Sequence, residues 1–231
     1  MSDLTESKKT LSPGVVERAL SYAEKRKTGM PLWYVIGDTE FYGYKIKVDR
    51  RVLIPRPETE EVVSKALEFI DENSSVLDLC TGSGAIAITV QKEKNCRVTA
   101  TDISEDAITL AKENADINGA KVNFVIGNLF ENITEKFDVI ISNPPYIKRS
   151  DMEKLDVELS FEPQNALDGG EDGLAFYRLI ASLFKNYLNE NGKLILECGL
   201  NQSEEICKLF TDKAEVYKDL NGIDRIVVVK T

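Results

Sequence analysis

The chain has 231 residues, of which 42% are hydrophobic, so it is long enough to bury a sizeable core in one or two domains. Its formal net charge of −10 repels phosphate backbones and gives no support to broad binding of nucleic acids or membrane surfaces. The first ten residues are polar, and no run approaches the roughly 20 apolar residues that span a bilayer, so we predict a soluble, cytoplasmic protein.

The use of cysteine and histidine bears on metal binding and on the redox environment. The four cysteines are widely spaced, no Cys-x-x-Cys pair occurs, and histidine is absent. A zinc site that uses histidine is therefore excluded. We predict no metal, and free thiols in a reducing compartment.

The N-terminal quarter predicts two helices that flank a hairpin. Ser12 as a cap and Pro13 in the first turn predict an amphipathic helix within residues 11–28. Two glycines punctuate short aromatic and β-branched runs, which predicts a hairpin within residues 33–54. A proline followed by glutamates then predicts a helix over residues 57–70.

From residue 75 onward, strand-like and helical segments alternate. Five apolar runs predict strands: SSVLDLC, RVTATDI, VNFVIGN, FDVIISN and GKLILEC. Helical segments lie near residues 84–93, 104–118, 174–190 and 203–212. This alternation is typical of a mainly parallel sheet wrapped by helices.

The last two apolar runs, AEVYKDL and DRIVVVK, are separated by only three residues. That is too short for a parallel crossover, so they must pair as an antiparallel hairpin. The predicted fold class is therefore α/β, a doubly wound, mainly parallel, seven-stranded sheet that ends in an antiparallel hairpin.

A glycine-containing loop follows the first predicted strand of the sheet. Asp78 lies near the end of that strand, and Gly82 and Gly84 lie in the turn into the next helix. Small residues there let a ligand approach backbone N–H groups. Together with Ala87 they also satisfy G-x-G-x-x-A, so a nicotinamide-dependent oxidoreductase stays open, as does a plain strand-to-helix turn.

An acid ends the second predicted strand of the sheet. Asp102 would point into the crevice at the carboxyl ends of the strands, where an acid can accept both hydroxyls of a ribose. The alternative role is the N-cap of the following helix, which Ser104 could equally fill. The loop and the acid together indicate an adenosine-containing cofactor, without saying which one.

The motif Asn-Pro-Pro-Tyr ends the fourth predicted strand. Asn143 and Pro144 both precede a proline, so both are pushed towards extended backbone, and the two prolines remove two N–H donors. The Asn143 side-chain oxygen and the Pro144 carbonyl can then form a pair of acceptors for one amino group. Tyr146 can lie against the flat group that carries it. The motif predicts a site for a planar amine or amide.

Methylation of such a nitrogen is difficult because its lone pair is delocalised. Two acceptors on its hydrogens would orient the nitrogen, favour a pyramidal geometry and stabilise the positive charge that develops during attack on a methyl sulfonium. No general base is needed before attack, because the methylated nitrogen is the more acidic species. A chain without histidine is compatible with this chemistry.

From about residue 31 to the C-terminus, the chain resembles HemK-type peptide-chain-release-factor glutamine-N5 methyltransferases, of the S-adenosylmethionine-dependent, Rossmann-like class I fold. The resemblance depends on six motifs in the family's order: PLWYVIGDTEFYG, VLIPRPETEEVV, DLCTGSGAIAI, ATDIS, SNPPYI and EPQNALDGGEDGLAFYR. Asn-Pro-Pro-Tyr alone also occurs in adenine-N6 and cytosine-N4 nucleic-acid methyltransferases.

The resemblance implies roles for particular residues and a partner. S-Adenosylmethionine would be bound by Cys80, Thr81, Gly82, Ser83, Gly84, Asp102, Leu129 and Asn143. The glutamine amide would be bound by Asn143, Pro144, Pro145 and Tyr146, of which Asn143, Pro144 and Tyr146 would be catalytic. Arg56 and Glu58 would also bind the substrate and, together with Thr59, would help to close the site. The partner would be a class 1 release factor, with no direct contact to nucleic acid or membrane, and the chain would be a monomer.

The resemblance also implies a division of the chain and shows departures from the family pattern. Residues 1–30 would form a reduced N-terminal helical segment, 31–56 a β-hairpin bridge and 57–231 the methyltransferase domain. Cys80 stands where the common pattern has its first glycine, and Asn128 stands where an acid is frequent. A nucleic-acid amino-methyltransferase, a nicotinamide-dependent oxidoreductase and an inactive binding module that keeps the fold remain as alternatives.

Overall fold

The computed structural model describes residues 12–211 and 213–231. The part before the large sheet comprises α1 (Pro13–Lys27), α2 (Leu32–Ile36), β1 (Asp38–Phe41), β2 (Tyr44–Lys47) and α3 (Pro57–Leu67). The helix predicted within residues 11–28 is confirmed, and residue 11 lies outside the described residues. Ser12 takes the N-cap position with extended backbone, although its hydroxyl makes no capping hydrogen bond.

The hairpin is shorter than the predicted range of 33–54, because a helical turn takes up the first part of that range. Gly37 ends this turn in the left-handed conformation, at φ 96°, and its N–H donates to the carbonyl oxygen of Trp33 at 2.7 Å. The hairpin loop consists of Tyr42 and Gly43, with φ of 52° and 79°. Positive φ at both loop positions matches the twist of a tight two-residue hairpin.

The large sheet has seven strands: β3 (Ser75–Leu79), β4 (Arg97–Asp102), β5 (Val122–Ile126), β6 (Phe137–Ser142), β7 (Leu188–Glu197), β8 (Lys213–Lys218) and β9 (Asp224–Lys230). Their order is β5-β4-β3-β6-β7-β9-β8. β3 to β7 are parallel, and β9 pairs antiparallel with both β7 and β8. The predicted fold class is confirmed. The order reverses at β3, between β4 and β6, which is where doubly wound sheets bind ligands.

Within residues 12–211 and 213–231, four helices accompany the sheet: α4 (Ala85–Lys94), α5 (Glu105–Asn118), α6 (Ala175–Tyr187) and α7 (Ser203–Cys207). The predicted ends at residues 70, 190 and 212 for α3, α6 and α7 were too late. In α6 the reason is that Leu188 already pairs with Phe137 as the first residue of β7. Three short 3-10 helices that no hydrophobic period predicts follow β6: Arg149–Lys154, Val157–Phe161 and Gln164–Ala166.

Alternate side chains of the central strands enter two different apolar layers, as the two-residue period of a strand requires. Val76 and Val139 lie in the layer that contains α3, α4 and α5. Leu77 and Ile140 lie in the layer on the other face, against Tyr177 of α6. None of the described helices is long and apolar enough to span a membrane.

We expect Leu77→Ala to lower the free energy of unfolding by about 3–5 kcal/mol, because the side chain is fully buried in β3, an interior strand, and its removal leaves a cavity. Leu220→Ala is the matched control, since Leu220 is 93% exposed. It should change stability by no more than about 0.5 kcal/mol. Urea unfolding followed by circular dichroism measures both values. Equal effects of the two substitutions would contradict the assignment of Leu77 to the core.

Candidate active site

The loop after β3 turns through residues with left-handed backbone. Cys80, Gly82 and Gly84 have φ of 61°, 53° and 81°. A side chain is disfavoured in that conformation, so glycine is suited to two of the three positions. A β-carbon added to Gly84 would lie 3.1 Å from that of Ala111, so this glycine also lets the loop lie against α5.

The Asp102 carboxylate at the end of β4 is fixed by two backbone N–H groups. Its Oδ2 accepts from Gly82 at 2.9 Å, and its Oδ1 accepts from Ser104 at 2.9 Å. Ser104, and not Asp102, caps α5, because its hydroxyl accepts the N–H of Ala107 at 3.1 Å. Burial raises the pKa of Asp102, and the backbone hydrogen bonds oppose that shift.

A cavity of about 280 Å³ opens beside this carboxylate; it is called the large cavity below because it is the larger of the two cavities that Asn143 lines. Its volume is near the lower end of the roughly 300–1,000 Å³ of typical small-molecule sites. Five of the residues predicted to bind the cofactor line this cavity: Cys80, Gly82, Asp102, Leu129 and Asn143. Apolar side chains that sequence reasoning missed complete its wall, among them Ile103, Phe176 and Leu179. Ile103 and Leu179 are exposed apolar residues. This exposure points to a binding surface, and it is visible only in the structure.

Three residues predicted to bind the cofactor, Thr81, Ser83 and Gly84, are not among those that line the large cavity. The Thr81 hydroxyl donates to Asp78 Oδ2 at 2.6 Å, and the Ser83 carbonyl accepts from Asn114 Nδ2 at 2.9 Å. These contacts stabilise the shape of the loop. Direct contacts of these residues with a cofactor stay a prediction.

The Asn-Pro-Pro-Tyr motif lies between the large cavity and a second cavity of about 160 Å³, hereafter the small cavity. Pro144, Tyr146 and Arg56 line the small cavity, and Pro145 lines the large one. Asn143 lines both. Leu53 and Ala166 also line both cavities, so Asn143 is the polar residue at which a group held in the small cavity would meet a molecule in the large cavity.

The glycines of the NALDGGEDG motif make room for this corner. A β-carbon on Gly169 would lie 2.7 Å from the Tyr146 Cα, which is closer than real β-carbons approach. The Tyr146 carbonyl oxygen accepts from Gln202 Nε2 at 3.0 Å. Burial raises the pKa of the Tyr146 phenol to about 12, so this ring stays neutral at physiological pH.

The Asn143 carboxamide is held by a buried chain of hydrogen bonds. Its Nδ2 donates to Thr59 Oγ1 at 3.1 Å, and the Thr59 hydroxyl donates to Glu197 Oε2 at 2.6 Å. Burial raises the pKa of Glu197 to about 7, against the opposing effects of the Thr59 hydrogen bond and the Arg225 charge. Sequence reasoning missed Glu197. The sequence pattern that could have identified it is an acid within the apolar run LILEC, at the carboxyl end of a strand.

Arg56 is held at the small cavity by a buried acid that sequence reasoning also missed. One of its terminal nitrogens lies 2.7 Å from Glu162 Oε1, and the Glu162 side chain is only 2% exposed. Burial raises the pKa of Glu162, and the Arg56 charge opposes that shift. Glu58 lines neither cavity, so its predicted contact with substrate stays a prediction.

Comparisons with known proteins support the fold described above. A family model described as the methyltransferase small domain matches residues 61–171. A solved methyltransferase from Pyrococcus furiosus superposes with a TM-score of 0.64, at 21% identity, over 95% of this chain and 98% of that one. A Thermus thermophilus 16S rRNA N2 G1207 methyltransferase, solved in complex with AdoMet and guanosine, superposes at 0.58 and 14% identity, over 84% of this chain and 49% of that one. The solved structures show the fold, and the family model marks a methyltransferase small domain within it.

A curated relative defines the family. The release factor glutamine methyltransferase of Lactococcus lactis is 43% identical over 208 residues, which are 87% of this chain and 77% of the relative. The chain belongs to the release factor glutamine methyltransferase family. This membership confirms the resemblance and does not favour the oxidoreductase and nucleic-acid alternatives.

Asp78 gives a test of how deeply the strand end is buried. The residue is fully buried and its Oδ1 has no partner among the described residues, and burial raises its pKa from 3.8 to about 7. The folded protein therefore binds a proton that the unfolded chain releases, so this group lowers stability as pH rises from 3.8 to about 7. Asp78→Asn lacks this titration. The stability of the variant relative to wild type should rise by on the order of 4 kcal/mol across that window.

Urea unfolding of both proteins at pH 4, 5.5, 7 and 8 measures this difference. Other titrating groups are shared by the two proteins and cancel in the comparison. A difference that stays constant over the whole range would contradict the burial of a titrating carboxyl at this position.

Proposed function

We propose that the chain transfers a methyl group from S-adenosylmethionine to the side-chain amide nitrogen, N5, of a glutamine in a class 1 peptide-chain release factor. The observation that carries the proposal is the position of Asn143, which lines both cavities. A cofactor in the large cavity and an amide in the small cavity would meet there. The Lactococcus lactis relative, named for this activity, supports the choice of substrate.

The large cavity fits an adenosine-containing cofactor. Each Asp102 oxygen accepts one backbone N–H, which leaves further lone pairs for the hydroxyls of a ribose. Leu129 and Ile103 offer apolar surface for a flat base, and the small residues Cys80 and Gly82 line the same cavity, where they leave room for a ligand. S-Adenosylmethionine, when bound, supplies a methyl group activated by a sulfonium.

The Asn-Pro-Pro-Tyr corner orients the reacting amide. The Asn143 side-chain oxygen and the Pro144 carbonyl accept the two hydrogens of the glutamine amino group, and the Tyr146 ring covers the amide plane. The hydrogen bonds to both acceptors become stronger as positive charge develops on the nitrogen, so they stabilise the transition state more than the ground state. The nitrogen then loses a proton to water, so no histidine or other general base is required.

The proposal includes a monomeric enzyme that acts on a protein and not on nucleic acid. The net charge of −10 would repel a phosphate backbone. Arg56 at the small cavity, neutralised by Glu162, gives a local site that is not strongly basic. A protein segment that carries an uncharged amide is the ligand that suits this surface.

The direct experiment is incubation with a class 1 release factor and methyl-labelled S-adenosylmethionine, followed by mass spectrometry of intact peptides. We expect a single methyl group on the amide of one glutamine. DNA and RNA serve as parallel substrates. Label in nucleic acid would favour the amino-methyltransferase alternative, and no transfer to any substrate would favour the inactive binding module.

We expect Asn143→Ala to lower kcat by on the order of 10²–10³, because it removes an acceptor that acts on charge in the transition state. Affinity for S-adenosylhomocysteine should change by less than about threefold, since Asp102 and the loop are untouched. The matched control is Asn221→Ala, at an exposed position that lines neither cavity. Single-turnover kinetics and calorimetry measure the two quantities. Wild-type turnover by Asn143→Ala would show that the amide is not held in this way.

A further inference from the structure

Asn143 is connected to two buried polar side chains that line neither cavity. Thr59 of α3 is 4% exposed and Glu197 of β7 is 1% exposed, and neither lines a cavity. They join distant parts of the chain, since 138 positions separate them. Burial of an acid here is unfavourable unless its hydrogen bonds are satisfied, so the arrangement calls for an explanation beyond packing.

The direction of each hydrogen bond follows from the charge on Glu197. An ionised carboxylate only accepts hydrogen bonds, so the Thr59 hydroxyl must donate its single hydrogen to Glu197. The Thr59 oxygen then has only lone pairs to offer, and it can bind Asn143 only through the amino end of the carboxamide. This fixes Nδ2 towards Thr59, in agreement with the 3.1 Å contact, and leaves Oδ1 as the end available to a ligand.

We propose that Thr59 and Glu197 are positioning residues that set the orientation of the Asn143 carboxamide, so that its oxygen faces the substrate amide. This inference rests on the proposed function of the site. The two ends of a carboxamide have nearly the same shape, so sterics alone select between them poorly. A flipped Asn143 would present an amino group to the glutamine amino group, and two donors cannot bind each other.

The charge state of Glu197 should therefore control the orientation. Above the pKa of about 7, the carboxylate accepts from Thr59 and Asn143 keeps its oxygen outward. Below it, the protonated acid can donate to Thr59, whose hydroxyl is then free to donate to the Asn143 oxygen, so that the carboxamide flips.

The charged and titratable groups that face Glu197 are Arg225, Arg56, Glu58, Tyr146 and Cys198, and the Tyr177 hydroxyl donates to the backbone carbonyl of Glu197.

Substitutions of Thr59 separate orientation from packing. Thr59→Val keeps the shape of the side chain and removes the hydroxyl, so we expect kcat to fall about 10- to 100-fold through misorientation of the amide acceptor. Thr59→Ser restores the hydroxyl and should recover kcat to within about threefold of wild type. Affinity for S-adenosylhomocysteine should stay the same in both. Thr89→Val is the matched control, because Thr89 is also a fully buried helical threonine but bonds only a carbonyl of its own helix.

The pH dependence of kcat would not change with Glu197 if this residue had a purely structural role. In wild type, kcat should fall as pH decreases through about 7, as Glu197 gains a proton. In Glu197→Gln, this part of the pH profile should disappear and kcat should be lower at pH 8. A variant that keeps the wild-type profile would overturn the assignment of Glu197.

Hydrogen exchange of the Asn143 side-chain amide, followed by NMR, tests the same inference without turnover. Its two amide hydrogens should exchange slowly in wild type and in Thr59→Ser, and at least about tenfold faster in Thr59→Val. Equal exchange and equal kcat in wild type and Thr59→Val would overturn the positioning role while leaving the proposed function intact. A wild-type protein that protects this amide but methylates no glutamine would instead overturn the proposed function.

Discussion

Three neighbouring parallel strands end at the same edge of the sheet, and the position of every functional group depends on that alignment. In the register, Leu79 of β3 pairs with Thr101 of β4 on one side and with Ser142 of β6 on the other. The next residues along β4 and β6 are Asp102 and Asn143, so the acid and the amide lie on either side of the glycine loop. Parallel pairing imposes this geometry, because hydrogen bonds between strands leave no freedom for one end to slide.

The same edge carries a second feature, the burial of acids at strand ends beside threonine hydroxyls. Asp78 accepts from Thr81 at the end of β3, and Glu197 accepts from Thr59 at the end of β7. Burial raises the pKa of each acid to about 7. The first pair stabilises the loop that lines the large cavity, and the second connects α3 to Asn143. The helix that precedes the sheet is therefore a part of the site, although it contributes no side chain to the large cavity.

The sequence predicted those features whose signals are local. Asn143 and Asp102 follow apolar runs directly, so parallel pairing was enough to bring them together. The contact between Thr59 and Glu197 joins residues 138 positions apart and has no periodic signal, and Glu162 beside Arg56 is hidden in the same way. Thr81 and Ser83 belong to the right loop, but the turn at Gly82 directs their polar groups to Asp78 and Asn114. The helical turn α2 lies where aromatic and β-branched residues predicted part of a hairpin. Pro31 before the turn and the left-handed Gly37 after it override that preference.

In the proposed site, the Asn143 oxygen and the Pro144 carbonyl together hold the nitrogen of a glutamine amide. A crystal structure of the protein with S-adenosylhomocysteine and a glutamine-containing peptide would show this arrangement or its absence. We predict that the amide nitrogen lies about 3 Å from both oxygens, with Asn143 Nδ2 still bound to Thr59. A glutamine whose carbonyl oxygen, and not its nitrogen, is bound by Asn143 would contradict it.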